Sequence, residues 1–326
     1  MSTETDTATD ARRGRGFFQR LLASPFVSNL LSNRLAIVGL AVIGSMVAVA
    51  LYARFVVVGG FPGPNLAVIT ASQLGTSSFA GPCGAHTVSG AVANAGSCPH
   101  PFGTDVQGRD VFRRTLYGAW LALKWGTVTV AASTALGVTL GIVAAYYGDV
   151  TDNVIMRTMD VLLAFPSLLL ALALVAIFGT GLWKAVIALT LVYTPRFARV
   201  VRGAALKVME DEYVDATVAL GARDGRVLFR HVLPNSLAPI TVQSTLNFGL
   251  AIIDLAALSF LGFGAAAGTP SWGLMLSNGV ELGLLSGQWW WSFFPGLFLA
   301  ITVLGFNLLG DGMRDALDPR MRETVD

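Results

Sequence analysis

Six stretches of this chain are apolar over lengths that suit a membrane crossing, which takes about 20 mostly apolar helical residues. They cover 35–58, 119–147, 161–178, 183–200, 238–264 and 289–309. The fourth is the weakest, because its apolar part stops near Pro195 and Arg196. The pattern predicts an all-α integral membrane protein. Composition agrees: 54% of residues are hydrophobic, 13% are charged and the mean hydropathy is +0.63, whereas soluble domains carry about a quarter charged residues. A net charge of +2 is too small to argue for nucleic acid as a partner. The run at 35–58 starts too late and is too long for a cleaved signal peptide, so it reads as a retained anchor.

Lys and Arg placement sets orientation. With a cytoplasmic N-terminus, the inner segments hold Arg12, Arg13, Arg15, Arg20, Arg34 and Arg157, and the tail adds Arg314, Arg320 and Arg322. The 196–239 loop is also inside and carries Arg196, Arg199, Arg202, Lys207, Arg223, Arg226 and Arg230. Only Arg109, Arg113, Arg114 and Lys184 fall outside, while Arg54 and Lys124 sit near helix ends and can snorkel. Deleting the fourth span would move the most basic loop outward, against the bias. Six spans with both termini cytoplasmic are therefore expected. Residues 1–11 are polar and predicted to be disordered. Trp289-Trp290-Trp291 opens the sixth span and reads as an interfacial anchor, with stacking on a solute as the alternative.

Two loops stand out. The outer loop 59–118 is enlarged and holds Cys83, Cys98, His86 and His100. A Cys83–Cys98 disulfide suits an oxidising compartment. Free thiols, a Cys/His zinc site and a loop that merely grew are the other readings. The cytoplasmic loop is patterned instead. Glu210, Asp211, Glu212 and Asp215 cluster on its first half, and Arg223, Arg226 and Arg230 on its second, with Gly221 between them. This predicts two short helices joined at a left-handed glycine, with Met209, Tyr213, Val214, Ala216 and Leu220 supplying apolar surface and Pro234 closing the second piece. Four clustered acids would repel an anionic leaflet, so a protein partner explains the loop better than lipid.

The same loop carries a resemblance. Permeases of ABC importers have a cytoplasmic motif of Glu-Ala-Ala, three residues, Gly, nine residues, an aliphatic residue, any residue and Leu-Pro. Asp215-Ala216-Thr217, Gly221, His231, Leu233 and Pro234 match its spacing, with Asp for Glu, Thr for Ala and His for the aliphatic residue. Phe229 to Asn235, Phe102-Gly103-Thr104-Asp105 with Gly108-Arg109-Asp110, Ala145-Tyr146-Tyr147-Gly148 and Ala164-Phe165-Pro166-Ser167 resemble the C-type subunit of the dipeptide/oligopeptide (nickel) permease family. So do Leu258-Ser259-Phe260-Leu261-Gly262, Thr269-Pro270-Ser271-Trp272-Gly273, Phe306 to Asp311 and Leu317-Asp318-Pro319-Arg320.

The resemblance implies a type I importer permease that moves dipeptides or oligopeptides across the inner membrane of a bacterial or archaeal cell. It implies a core at 119–312 after a tail at 1–34 and a first helix at 35–58, with a coupling loop at 203–236 and a second cytoplasmic tail at 313–326. It also implies a homologous B-type permease, two cytoplasmic ATPases and an extracytoplasmic peptide-binding protein as partners, with membrane lipid around the spans. Asp215, Ala216, Gly221, Leu233 and Pro234 would form the ATPase-coupling element. The chain has no Gly-x4-Gly-Lys-Ser/Thr loop, so it binds no cofactor itself, and ATP and Mg belong to the partner ATPases.

Asp254 is the acid deepest in a span. Burying it in lipid is costly, so it either lines the pathway or pairs with a partner subunit. Asn247 lies about two turns earlier on the same face. Asp160, Pro166 and Pro195 read as structural. No span contains a histidine, which removes the base or ligand of a His-dependent membrane enzyme. An ion-coupled secondary transporter and a nickel importer are the remaining alternatives, although no inverted repeat is evident.

Overall fold

A computed structural model describes residues 30–58, 82 and 100–317. The expectations for residues 1–11, for Cys83, His86 and Cys98, and for Asp318-Pro319-Arg320 lie outside the described residues. Among those described, regular structure is helical apart from one antiparallel bridge, Thr104 to Asp110.

Helix α1 spans Arg34–Tyr52 and runs on through a wide turn, Ala53–Val57. The Asn33 carboxamide oxygen caps it, accepting from the Leu35 and Ala36 N–H groups at 2.8 and 3.3 Å. Helix α2 spans Val111–Tyr147, starting eight residues before the expected apolar run. The Asp110 carboxylate caps it through the Phe112 and Arg113 N–H groups, and its first two turns are mostly buried in protein. At about 55 Å it outreaches the hydrocarbon core.

The expected third span, 161–178, is not one helix. Helix α3 (Asp149–Leu163) and helix α4 (Ser167–Phe178) meet at 95°. Pro166 has no N–H to donate, and its ring disfavours helical backbone at Phe165. Helix α4 alone is about 18 Å long, short of the hydrocarbon thickness.

Helix α5 spans Leu182–Met209, unbroken by Pro195. Its buried residues include Leu189, Tyr193, Phe197, Val201 and Ala205, packed against α2, α4 and the later helix α8 (Leu237–Phe260). Protein covers one face of this helix, while Trp183, Ile187 and Leu191 stay exposed on the other, so only part of its surface needs to be apolar toward lipid. Backbone approach to α2 is close: a Cβ at Gly137 would lie 2.9 Å from the Thr194 carbonyl oxygen, and one at Gly141 2.5 Å from that of Ala198. Small residues four apart allow this contact, as in membrane helix pairs generally.

Between α5 and α8 lie α6 (Glu212–Ala219) and α7 (Asp224–Val227). Helix α9 (Trp272–Asn278) and α10 (Trp290–Leu317) complete the chain. Helix α1 packs along α10, and the Asn33 amide donates to Asp315 Oδ2 at 3.3 Å. The start of α1 and the end of α10 therefore lie on one side of the bundle. By length and composition α1, α2, α8 and α10 can cross a membrane, and the α3–α4 pair can supply a fifth, broken crossing.

Candidate functional site

The loop expected to couple is an ordered extension of the bundle. Acids Glu212 and Asp215 occupy the first turn of α6, where the helix dipole favours negative charge. The helix ends in a Schellman motif: Gly221 N–H donates to the Val218 carbonyl and Ala222 N–H to that of Thr217. Gly221 has φ of +78°, a conformation costing another residue about 1–2 kcal/mol.

The second arm departs from expectation. Pro234 does not close it, because helical backbone continues through Leu228–Val232 and Leu233–Asn235. The first of these is a π turn in which Leu233 N–H donates to the carbonyl five residues back. That widening accommodates Pro234, whose missing N–H would otherwise break the pattern.

Val214, Val227 and Val232 are buried against Ile142 and Ala145 of α2 and Val201, Ala205 and Val208 of α5. Asp215, Ala216, Gly221 and Pro234 are exposed, and Leu233 is half-buried. Leu220 and Phe229 project furthest, at 89% and 74% exposed. The apolar surface expected on α6 thus divides, with Val214 facing inward and Leu220 outward. Phe229 was visible in the sequence only as part of a motif, because helical period does not reveal which apolar residue on a short segment faces out.

Alongside the loop, α3 grips α5. Both Nε and Nη2 of Arg202 donate to the Asp152 carboxylate, and Arg199 donates to Asp160 at 2.7 Å. The hydrogen bond to Asp152 pushes the Arg202 guanidinium above its ordinary value, so it stays charged. Asp160 is therefore an ion-pair partner of α5.

Within the bundle, the Tyr193 hydroxyl donates to Asp254 Oδ2 at 2.6 Å, and Arg196 lies 5.7 Å from the Tyr193 ring. Asp254 thus has a partner in its own chain, one that the sequence did not reveal because Tyr193 lies 61 positions away. Asp254 is half-buried. Asn247 is only 1% exposed and accepts from Gln243 at 3.1 Å, so it faces the protein interior.

On the opposite side, Asp105 accepts from the N–H groups of Gln107 and Arg109 and from Arg109 Nε at 2.6 Å. Arg114 donates to the Gly268 carbonyl, and His100 Nδ1 is 3.4 Å from Asp110. Trp290 and Trp291 are buried, and the Trp290 indole donates to the Thr104 carbonyl. Only Trp289, 51% exposed, is placed to meet lipid headgroups, which corrects the expectation of a three-ring anchor. No cluster of metal-binding side chains occurs among the described residues.

This chain is similar to known transport proteins. Residues 137–323 match the family described as binding-protein-dependent transport system inner membrane component. The dipeptide transport system permease protein DppC of Alkalihalophilus pseudofirmus is 44% identical over 293 residues, covering 90% of this chain and 88% of that one. Its Escherichia coli K12 counterpart is 45% identical, covering 70% and 75%. The glutathione transport system permease protein GsiD of Pectobacterium atrosepticum is 43% identical, covering 69% and 74%. Among solved structures, an inward-facing methionine ABC transporter, MetNI, aligns with a TM-score of 0.51 at 18% identity, covering 64% of this chain and 98% of that one. That likeness shows an ABC importer permease fold. The chain therefore belongs to the family of binding-protein-dependent transport system inner membrane components, and is a multi-pass ABC permease subunit of the inner membrane, with no catalytic role of its own.

Proposed function

We propose that this subunit forms half of an ATP-driven import path for dipeptides or short oligopeptides, beside a homologous B-type permease. Two cytoplasmic ATPases hold ATP and Mg, and an extracytoplasmic binding protein delivers the peptide. The observation that carries the coupling role is the protruding pair Leu220 and Phe229 on a glycine-jointed loop rooted in the bundle core. Asp215, Ala216, Gly221, Leu233 and Pro234 shape that element and its return to α8. The substrate class rests on the relatives, whose printed activities are dipeptide, peptide and glutathione transport.

Six crossings, with both termini cytoplasmic, remain the preferred topology. The Asn33–Asp315 contact between the start of α1 and the end of α10 supports an even number of crossings, and the reading reaches six by having the α3–α4 pair and α5 each cross once. The half-buried carboxylate of Asp254 is proposed to face the path. Asn247 is proposed to support it from within α8. The reading is tested by uptake into proteoliposomes holding the complete importer. ATP-dependent accumulation of a labelled dipeptide, not competed by nickel, is expected. Accumulation of nickel without dipeptide would overturn the substrate class.

A further inference from the structure

Three helices, α2, α5 and α8, pack on one another at the centre of the bundle. Two of them are joined covalently to the cytoplasmic loop, since α5 runs into it and α8 leaves it. Any displacement of the loop pulls on both through the backbone. Helix α2 has no such connection, yet it is the longest helix and shares its face with α5 over much of its length. Its apolar contact with the loop, through Ile142 and Ala145, is non-directional and lets surfaces slide.

The last residues of α2 supply a directional contact. The Tyr146 hydroxyl donates to Asp224 Oδ1 at 2.9 Å, and the Tyr147 hydroxyl approaches Oδ2 at 3.5 Å. Asp224 is the first residue of α7, the loop's second arm. Among the described residues, these are the side-chain hydrogen bonds that cross from α2 to 212–235. Bonds to a carboxylate are the stronger kind, and the Tyr146 bond has the ordinary O–H···O length, whereas Tyr147 at 3.5 Å lies at the edge of contact. A helix-start acid serves the dipole equally well without a partner, so stabilising α7 does not explain why both oxygens face tyrosines.

We propose that Asp224, held by Tyr146 and seconded by Tyr147, is a positioning residue that delivers loop motion to α2, so that all three central helices move together. This rests on the importer reading above. Apolar packing holds the loop in place, while the Tyr146–Asp224 bond makes α2 follow it.

The test uses the complete importer in proteoliposomes, measuring dipeptide uptake and ATP hydrolysis together. The unmodified importer first establishes ATP-driven uptake, and its failure would sink the importer reading separately. Tyr146→Phe removes one hydroxyl and leaves the ring in its apolar contact. It is expected to lower the peptide moved per ATP hydrolysed by about fivefold or more, the range of ordinary coupling between sites, with ATPase subunits still bound. Asp224→Ala should do the same. Tyr146→Phe combined with Asp224→Ala should be no worse than Asp224→Ala alone, because Asp224→Ala already removes the Tyr146 contact. Tyr147→Phe, at the longer distance, should have the smaller effect. A purely structural role would lower uptake and hydrolysis in proportion. That result, or an unchanged ratio in both single variants, overturns the proposal.

Discussion

The cost of an acid inside a membrane span is met here by a tyrosine from a neighbouring helix. Asp254 accepts from Tyr193 at 2.6 Å, and Arg196 lies beside that ring. Asp254→Asn separates charge from hydrogen bonding, since the amide oxygen still accepts from Tyr193. If the carboxylate meets the cationic end of a peptide, uptake should fall about tenfold or more, equivalent to about 1.4 kcal/mol, with assembly unchanged. Uptake near the unmodified level would make Asp254 only a partner of Tyr193. The sequence revealed this residue because one acid in an apolar run is conspicuous. It did not reveal Tyr193 or Asp224, and gave Tyr146 only as part of a motif, because a hydrogen bond between helices leaves no local pattern. Gly221 was legible, since a turn between two short helices demands a left-handed residue.

At the scale of elements, apolar length located α1 and α8 closely, and the start of α10, which then runs eight residues past the expected end to Leu317. It failed where another force set the boundary. Asp110 started α2 early by capping it, and Pro166 split the third stretch into helices at 95°. Helix α5 looked short because Arg196, Arg199 and Arg202 interrupt its hydropathy, but Asp160 and Asp152 neutralise the last two and one face of the helix packs on α2, α4 and α8. Whether α5 crosses is the point on which the six-span topology turns. With Cys83 and Cys98 replaced by Ser, a cysteine at Lys184 should react with an impermeant thiol reagent from outside and one at Lys207 only from inside. Labelling of both from the same side would remove that crossing.

For the whole molecule, one architecture accounts for both a bundle suited to lipid and a projecting loop suited to protein. Charge bias, motif order and helix count led from sequence to an importer permease, and membership of that family follows from the relatives. Under the proposed function, the loop's exposed apolar pair, Leu220 and Phe229, is the contact through which the ATPases act on this chain. Leu220→Asp with Phe229→Asp leaves the buried Val214, Val227 and Val232 untouched, so the bundle should persist. The most direct measurement is therefore co-purification of the ATPase subunits with this double variant and with the unmodified chain from detergent-solubilised membranes. The account predicts that the unmodified chain brings both a second permease and the ATPases, while the variant keeps the permease and loses the ATPases. ATPases retained in full by the variant would contradict it.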